Sequence, residues 1–495
     1  MADAATRAQR QREVVQALMA VLPSHCLLYR DEDTAAYECD GRAAYRRLPL
    51  AVALPETESQ VQRIVQICRR LNVPIVPIVP RGAGTSLSGG ALPNQSGTVV
   101  SLARFTRIVE VDSYARTATV QPGVRNIAIS EAAAPYGLYY APDPSSQIAC
   151  TIGCNVAENS GGVHCLKYSL TVHNVLRVRA VTIDGDVVEF GSLALDTSGL
   201  DLLAVMIGSE GMFAIVTEIT VKLIPRPQTA QLVMTSFDDV VKGGEAVAAI
   251  IAAGIVPAGL EMMDKPATRT VEAFTAGRLR PGRGPPILLC ESDGTPDEVA
   301  EEIARVTSVL RTSGATRIQV SRSEAERLRF WSGRKNAFPA AGRISPDYYC
   351  MDGTVPRRAI GPLLARIEQM EAQYGLRCIN VFHAGDGNMH PILFNANDPD
   401  ELHRAELFGA DILESCVKLG GTVTGKHGVG VEKLNSMCVQ FSPEERDAFF
   451  AVKRAFDPAS LLNPDKGIPS RARCAEYGRM HVRGGLLPRP DLPRF

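Results

Sequence analysis

The chain has 495 residues, 45% of them hydrophobic, enough to bury large cores and to divide into two or three domains. Its 53 Lys and Arg nearly balance 54 Asp and Glu, which leaves no basic footprint for nucleic acid and no polybasic patch for anionic lipid. Small molecules and other proteins are the expected partners.

The opening stretch MADAATRAQRQREVVQALMAVLPSH carries Asp3 and Glu13 and lacks an apolar signal segment, so it reads as a surface helix and argues against export. Residues 56–90 combine a helix, with apolar positions three and four apart, a short strand and a glycine loop. RIVEVDSYARTATVQPGV alternates as strands do. VTIDGDVVEF predicts a hairpin turning at Asp184 and Gly185, and FAIVTEITVKLIPRP a strand closed by Pro225 and Pro227. Together these predict an α+β unit rich in loops without side-chain bulk.

From Gln228 the texture changes. TAQLVMTSF, GGEAVAAIIAAG and GLEMMD, then PILLCES, PDEVAEEIARVTSVLRTSG and ATRIQVS, repeat strand–helix–strand twice. That is the pattern of a split βαβ sandwich, with helices on one face of an antiparallel sheet. Residues 277–286 read as a mobile loop within it. The longest uncharged apolar run, residues 246–260, contains Gly254 and Pro257 and falls short of the ~20 residues that span a bilayer. A cytoplasmic chain, at most peripheral on the inner membrane, is expected. After Pro356 come a helix, a histidine loop, a further helix and a strand into GTVTGKHGVG.

The 12 cysteines include no CxxC pair and no iron–sulfur spacing, which predicts free thiols in a reducing compartment. Cys150 and Cys154 read as small residues of a tightly packed loop. Three loops stand out for their chemistry. PRGAGTSLSGG, residues 80–90, is no dinucleotide fingerprint, because its third glycine would fall at Leu87. It still offers many backbone N–H groups to a pyrophosphate. APDPSSQIACTIGCNVAENSGG and GSEGMFAIV are similarly small and polar, and three such loops suit one long polyanionic ligand. GGTVTGK approaches a nucleotide-triphosphate loop, but the next residue, His427, lacks the hydroxyl that holds Mg²⁺. HAGDGNMH sets His383 and His390 around an acid, an amide and two glycines, a candidate metal site.

These loops, with HAGDGNMHP and FDPASLLNPDKGIP, resemble the FAD-linked D-2-hydroxyacid dehydrogenases of the vanillyl-alcohol-oxidase type, in particular their glycolate-oxidising branch. The resemblance runs from about residue 10 to the end and takes in FWSGRKNAFPAAGRISPDYYCMDGTVPRR. It implies an α+β protein: a two-lobed FAD-binding domain of that type and a ferredoxin-like α+β cap. The implied divisions are an N-terminal helical segment (1–46), the FAD domain (47–227), the cap (228–420), a return to the FAD domain (421–470) and a tail for subunit docking (471–495).

The resemblance also implies roles. Arg81, Gly82, Ala83, Gly84, Thr85 and Ser86, with Gly89 and Gly90, would hold the FAD pyrophosphate. Pro142, Asp143, Ser145, Ser146, Gly153, Asn155 and Asn159 would continue along the diphosphate, ribityl chain and flavin ring. Glu210, Gly211, Ile215 and Val216 would lie by the adenosine half, and Asn463 would return to the flavin. Thr85 stands where some relatives attach FAD through a histidine, so the FAD is expected to be non-covalent. Oxidising a 2-hydroxy acid needs a hydride acceptor, a base for the hydroxyl proton and a cation for the carboxylate. His427 matches the candidate base, Arg334 the substrate arginine, and Asn388 a substrate hydrogen-bonding group.

In relatives, the histidines matching His383 and His390 bind a divalent cation such as zinc or manganese, completed by a carboxylate where this chain has Lys426. An ammonium about 4 Å from a dication is repelled by roughly 8 kcal/mol at an effective dielectric near 20. Lys426 therefore turns away, loses its proton or substitutes for the metal. The implied reaction is glycolate to glyoxylate, in company with a second FAD-domain subunit and an iron–sulfur subunit; the alternative is a stand-alone D-lactate or D-2-hydroxyglutarate dehydrogenase. Rivals from other classes are a zinc hydrolase on His383, His390 and His427, which a yellow protein would argue against, and a non-catalytic flavin scaffold, which dye reduction would exclude.

Overall fold

The computed structural model describes residues 2–42, 45–71, 76–194, 199–274, 285–343, 345, 347–395 and 399–469. The expected docking tail (471–495) and most of the expected mobile loop (277–284) lie outside the described residues.

The first lobe is built on a parallel sheet of three short apolar strands, Ala51–Ala53, Thr98–Ser101 and Ile78–Arg81, edged by Leu27–Leu28. Such strands need cover on both faces. The helix Glu58–Arg70 supplies one cover: Thr57 caps it by accepting from Gln60 N, and Val61, Ile64, Val65 and Cys68 are buried beneath it. The helix Ala2–Met19 is more than the surface element its composition predicts. Val14 and Leu18 are fully buried in this same core, because its one apolar stripe needs a partner.

The second lobe is a five-stranded antiparallel sheet in the order Ile108–Asp112, Thr117–Val120, Ile215–Lys222, Val175–Val181, Val187–Gly191. The hairpin turn is where the sequence placed it: Gly185 sits at φ 84°, donating to Thr182 O.

In the cap, Arg317–Val320, Thr229–Ser236, Ile287–Gly294 and Gly259–Met263 lie side by side and antiparallel. This fourth–first–third–second order is the ferredoxin-like arrangement. The helices Val240–Ala252, Pro296–Thr312 and Ile360–Tyr374 cover one face, over Phe237, Val247, Ile250 and Val306. A capping box of Thr295 and Glu298 starts the second of them. The sheet then extends through Cys378–His383, Asn388–Met389 and Gly353–Thr354. Pairing puts Glu261 opposite His383, His383 opposite Asn388 and Asn388 opposite Thr354, one row across four strands.

Two expectations are corrected here. The chain does not rejoin the first lobe at residue 421: Val423, Leu434 and Met437 belong to the cap core. Its loop touches the first lobe from Val429 to Glu432, where Val431 N and Glu432 N donate to Ser88 O, and the chain enters that lobe's core at Leu461 and Leu462, where Ile78 N donates to Leu461 O at 2.8 Å. Cys438 is disulfide-bonded, whereas free thiols were expected throughout; the other described cysteines are free.

Candidate functional site

The first glycine loop leaves the strand Ile78–Arg81. Gly84 adopts φ 70°, and a Cβ there would run into the guanidinium of Arg81, which is held over the ring of Tyr37 and donates to Cys39 O at 2.6 Å. Only glycine satisfies both demands. The third loop is tied to the catalytic loop by Glu210, whose two oxygens accept from Val429 N at 2.7 Å and Gly430 N at 2.8 Å. Asn463 donates to Gly90 O at 2.9 Å and Glu210 O at 2.6 Å, and so locks first loop, third loop and chain return together. Between them lies a cleft walled by Arg81, Gly82, Gly90, Gly153, Gly211 and Val216. It shares Ser86, Cys154 and Glu158 with a second, roomier cleft. The two form one elongated space, walled largely by backbone and small side chains.

The second cleft also contains Thr85, Ser145, Ser146 and Asn155, and at its far end Arg334, His383, His390, Lys426 and His427. Arg334 comes from the helix Glu324–Lys335. Its Nε donates to Glu261 at 2.8 Å, while its Nη2 is buried without a partner. The second Glu261 oxygen meets His383 Nδ1 at 2.6 Å. Burial pushes the Glu261 carboxyl up to about 7, against the pull of Arg334 and Lys426.

The catalytic loop is organised by Asp352, which has no solvent exposure. One oxygen accepts from Thr424 Oγ1, Gly425 N, His427 N and Lys433 Nζ at 2.8–3.0 Å, and the other from Asn388 Nδ2 at 2.7 Å. Burial alone would raise its pKa, but His427, Lys433 and His390 around it and the Asn388 bond hold it well below the usual range. The ring of His427 stacks on that of His390, centroids 4.9 Å apart and nearly parallel. Burial lowers the pKa of His427, and its neighbour Asp352 only partly opposes this. Both His383 and His390 are held well below 6.5, by burial first. All three are neutral bases near pH 7.

Lys426 is buried, with Nζ 2.8 Å from Asp386 and donating to Gly162 O at 3.0 Å. Burial opposes its charge, but Asp386, Cys165 and Glu261 together outweigh that, raise its pKa and keep it protonated. This geometry answers whether the residues suit a divalent cation. Among the described residues, Asp352, His390 and His427 bring ligand atoms within 4.8 Å of one another, but the donors above already fill the Asp352 carboxylate. His383 belongs to no such trio, and the group facing it is an ammonium. The donor set does not fit a divalent metal.

Several expected site residues face elsewhere. Asp143 turns its carboxylate out of the flavin cleft to the half-buried imidazole of His164, whose Nδ1 lies 2.8 Å away. Asn388 gives its amide N–H to Asp352 and keeps a buried Oδ1 without a partner. Ile215 is fully buried in core, Asn159 serves Val172 N at 2.9 Å, and Pro142 O accepts from Asn126. Ala83, Gly84 and Gly89 shape the first loop without lining either cavity. Three residues that the sequence reading passed over matter, Glu261, Asp352 and Glu158, and Asp386, there only the acid of HAGDGNMH, serves Lys426. Glu158 stands at the seam of the two cavities with a buried oxygen lacking a partner; burial, then Glu210, pushes its pKa well above the carboxylate range. An acid inside an apolar strand, as in GLEMMD, or before a turn, as in YCMDG, was the legible signal for the first two.

An FAD binding domain family matches residues 49–191, and the C-terminal domain of FAD linked oxidases matches residues 226–467. Glycolate oxidase subunit GlcD of Escherichia coli (strain K12) is 56% identical over 483 residues, 97% of this chain and 96% of that protein. GlcD of Bacillus subtilis (strain 168) is 37% identical, covering 88% and 93%. The solved structure of p-cresol methylhydroxylase with substrate bound covers 93% of this chain and 97% of its own, with TM-score 0.76 at 19% identity, a likeness of fold. With both domains matched in order and a relative aligned across nearly its whole length, the chain belongs to the FAD-linked oxidases, flavoproteins whose cofactor is FAD.

Proposed function

We propose that this chain oxidises glycolate to glyoxylate as the flavin subunit of a larger enzyme. The observation that carries the reading is the cleft end itself. A guanidinium with a free, buried Nη2, an ammonium and a neutral imidazole converge at one end of the cleft that the glycine-rich loops border. The similarity to GlcD, named a glycolate oxidase subunit, supports the substrate.

Arg334 Nη2 takes the substrate carboxylate, the Glu261 hydrogen bond holding the guanidinium plane. His427, neutral and fixed by its stack on His390 and its backbone bond to Asp352, removes the hydroxyl proton. Lys426 offsets the negative charge gathering on the substrate oxygens. Bound FAD supplies the acceptor for the hydride leaving Cα. Gly82, Gly90 and the small residues of the second loop hold that cofactor, and Thr85 provides no covalent link.

The chain has neither iron–sulfur spacing nor a nicotinamide fingerprint, so the electrons pass to an external acceptor. A second FAD-domain subunit and an iron–sulfur subunit fit that need, docked on residues 471–495. Among the described residues no helix is long and apolar enough to cross a membrane, so attachment to the inner membrane runs through those partners.

Acid precipitation will release the yellow cofactor into the supernatant, and Gly84→Val will give colourless protein; colour retained in the acid pellet contradicts the non-covalent assignment. Anaerobic titration with glycolate will bleach the flavin, with D-lactate a poorer reductant. His427→Asn will slow bleaching by about 10²–10⁴-fold, the span of general-base catalysis. In the wild type the acid limb of the rate profile will lie below pH 6.5, since burial lowers the histidine's pKa and protonation removes the base; an unchanged rate in the variant argues against that role. Lys426→Glu will raise bound metal, by elemental analysis, and make turnover sensitive to EDTA; a wild type with one tight metal per chain and complete EDTA inhibition overturns the ammonium's role. Removing residues 471–495 will abolish co-purification of partner subunits with flavin still bound, and unchanged assembly would place docking elsewhere.

A further inference from the structure

The substrate arginine is useful only if its helix keeps a fixed distance from the flavin loops, and those belong to different domains. The helix Glu324–Lys335 presents Arg327, Trp331 and Arg334 on one face, four and three residues apart. Two buried glutamates on adjacent strands receive that face. Glu261 takes Arg334, and one oxygen of Glu291 accepts from Arg327 Nη1 at 2.6 Å and from Trp331 Nε1. Gly259, paired opposite Glu291, leaves room for the indole: a Cβ there would already lie 3.4 Å from the Trp331 ring.

The other Glu291 oxygen meets His164 Nε2 at 3.1 Å, and His164 Nδ1 meets Asp143 at 2.8 Å. A neutral imidazole has one N–H donor, so the second nitrogen would point a lone pair at a carboxylate. Both contacts form only with the imidazolium. Burial opposes that charge, but Asp143 and Glu291 raise the pKa well above 6.5. Asp143 sits one residue before Pro144, Ser145 and Ser146, which wall the flavin cleft.

We propose that His164 is a positioning residue, a cationic bolt that sets the substrate-arginine helix against the flavin loop through Glu291 on one side and Asp143 on the other. The proposal rests on Arg334 binding the substrate carboxylate. The domains hold together without the bolt, since Lys167 Nζ donates to Asp293 O at 2.6 Å and Tyr168 Oη to its carboxylate at 2.8 Å. Removing His164 should therefore shift Arg334 and leave the fold intact.

The test is anaerobic stopped-flow reduction of the FAD-loaded full chain by glycolate, per bound flavin, in wild type, His164→Ala and the isosteric Asp143→Asn. A misplacement of about 1 Å is enough for a loss on the order of 10²-fold in the limiting reduction rate. Flavin content should stay near wild type, and the substrate concentration at half-saturation should change far less than the rate. Both variants should show the loss, and His164→Ala combined with Glu291→Gln should be no worse than the worse single change, because the two residues act in one chain. A wild-type rate per flavin in both variants, or additive losses in the double variant, overturns the proposal. Failure of the wild type to be reduced by any 2-hydroxy acid removes the functional reading instead. The coupling is then read from the visible circular dichroism of the flavin, and a spectrum unchanged by His164→Ala overturns it.

Discussion

The site depends on a single desolvated carboxylate. Asp352 lies out of contact with water, and stripping water from an ion costs several kcal/mol unless donors replace it. Here the donors come from Asn388, from Lys433 and from the backbone of the loop that carries His427. The charge thereby dictates the loop's shape. His427 cannot leave its place over His390 without leaving Asp352 unsatisfied, and Gly428 must take φ 75° where a Cβ would meet Glu158. Catalytic geometry and fold stability rest on the same buried ion.

Glu261 and Glu291 extend this arrangement across the cap sheet. Each is a buried acid, and each gathers cationic or N–H groups from separate elements of the chain. The helices lie on one face of the sheet, so the other is free to present this polar row to the flavin lobes. The row also explains why a dication is unsuited to the site. Arg334, paired with Glu261, and Lys426, paired with Asp386, both act on His383 and repel further positive charge there.

Much of the fold was legible in the sequence. The strand–helix–strand repeat after Gln228 carries the periodicities of the ferredoxin-like core, and the Asp184–Gly185 turn and the Glu58–Arg70 helix follow from local chemistry. The extension of the cap sheet was not legible, because short strands such as Asn388–Met389 and Gly353–Thr354 exist only through their partners. The motif residues His427, Arg334 and Lys426 come together at one end of the cleft, while Asp143 turns to His164 and Asn388 gives its amide N–H to Asp352.

The sequence by itself determined the identity of the elements and the chemistry available: glycine-rich backbone for an anionic cofactor, a guanidinium, and a lysine next to a histidine. These are local properties, written in spacing and residue type. Only the tertiary structure decided which buried acid serves which base. Asp352 meets His427 across 75 positions, Glu261 meets His383 across 122, and Glu291 meets His164 across 127. Such pairings arise when a charge loses its water and takes the nearest donor the packing brings. That is a fact of three-dimensional enclosure, which no local pattern in the chain records.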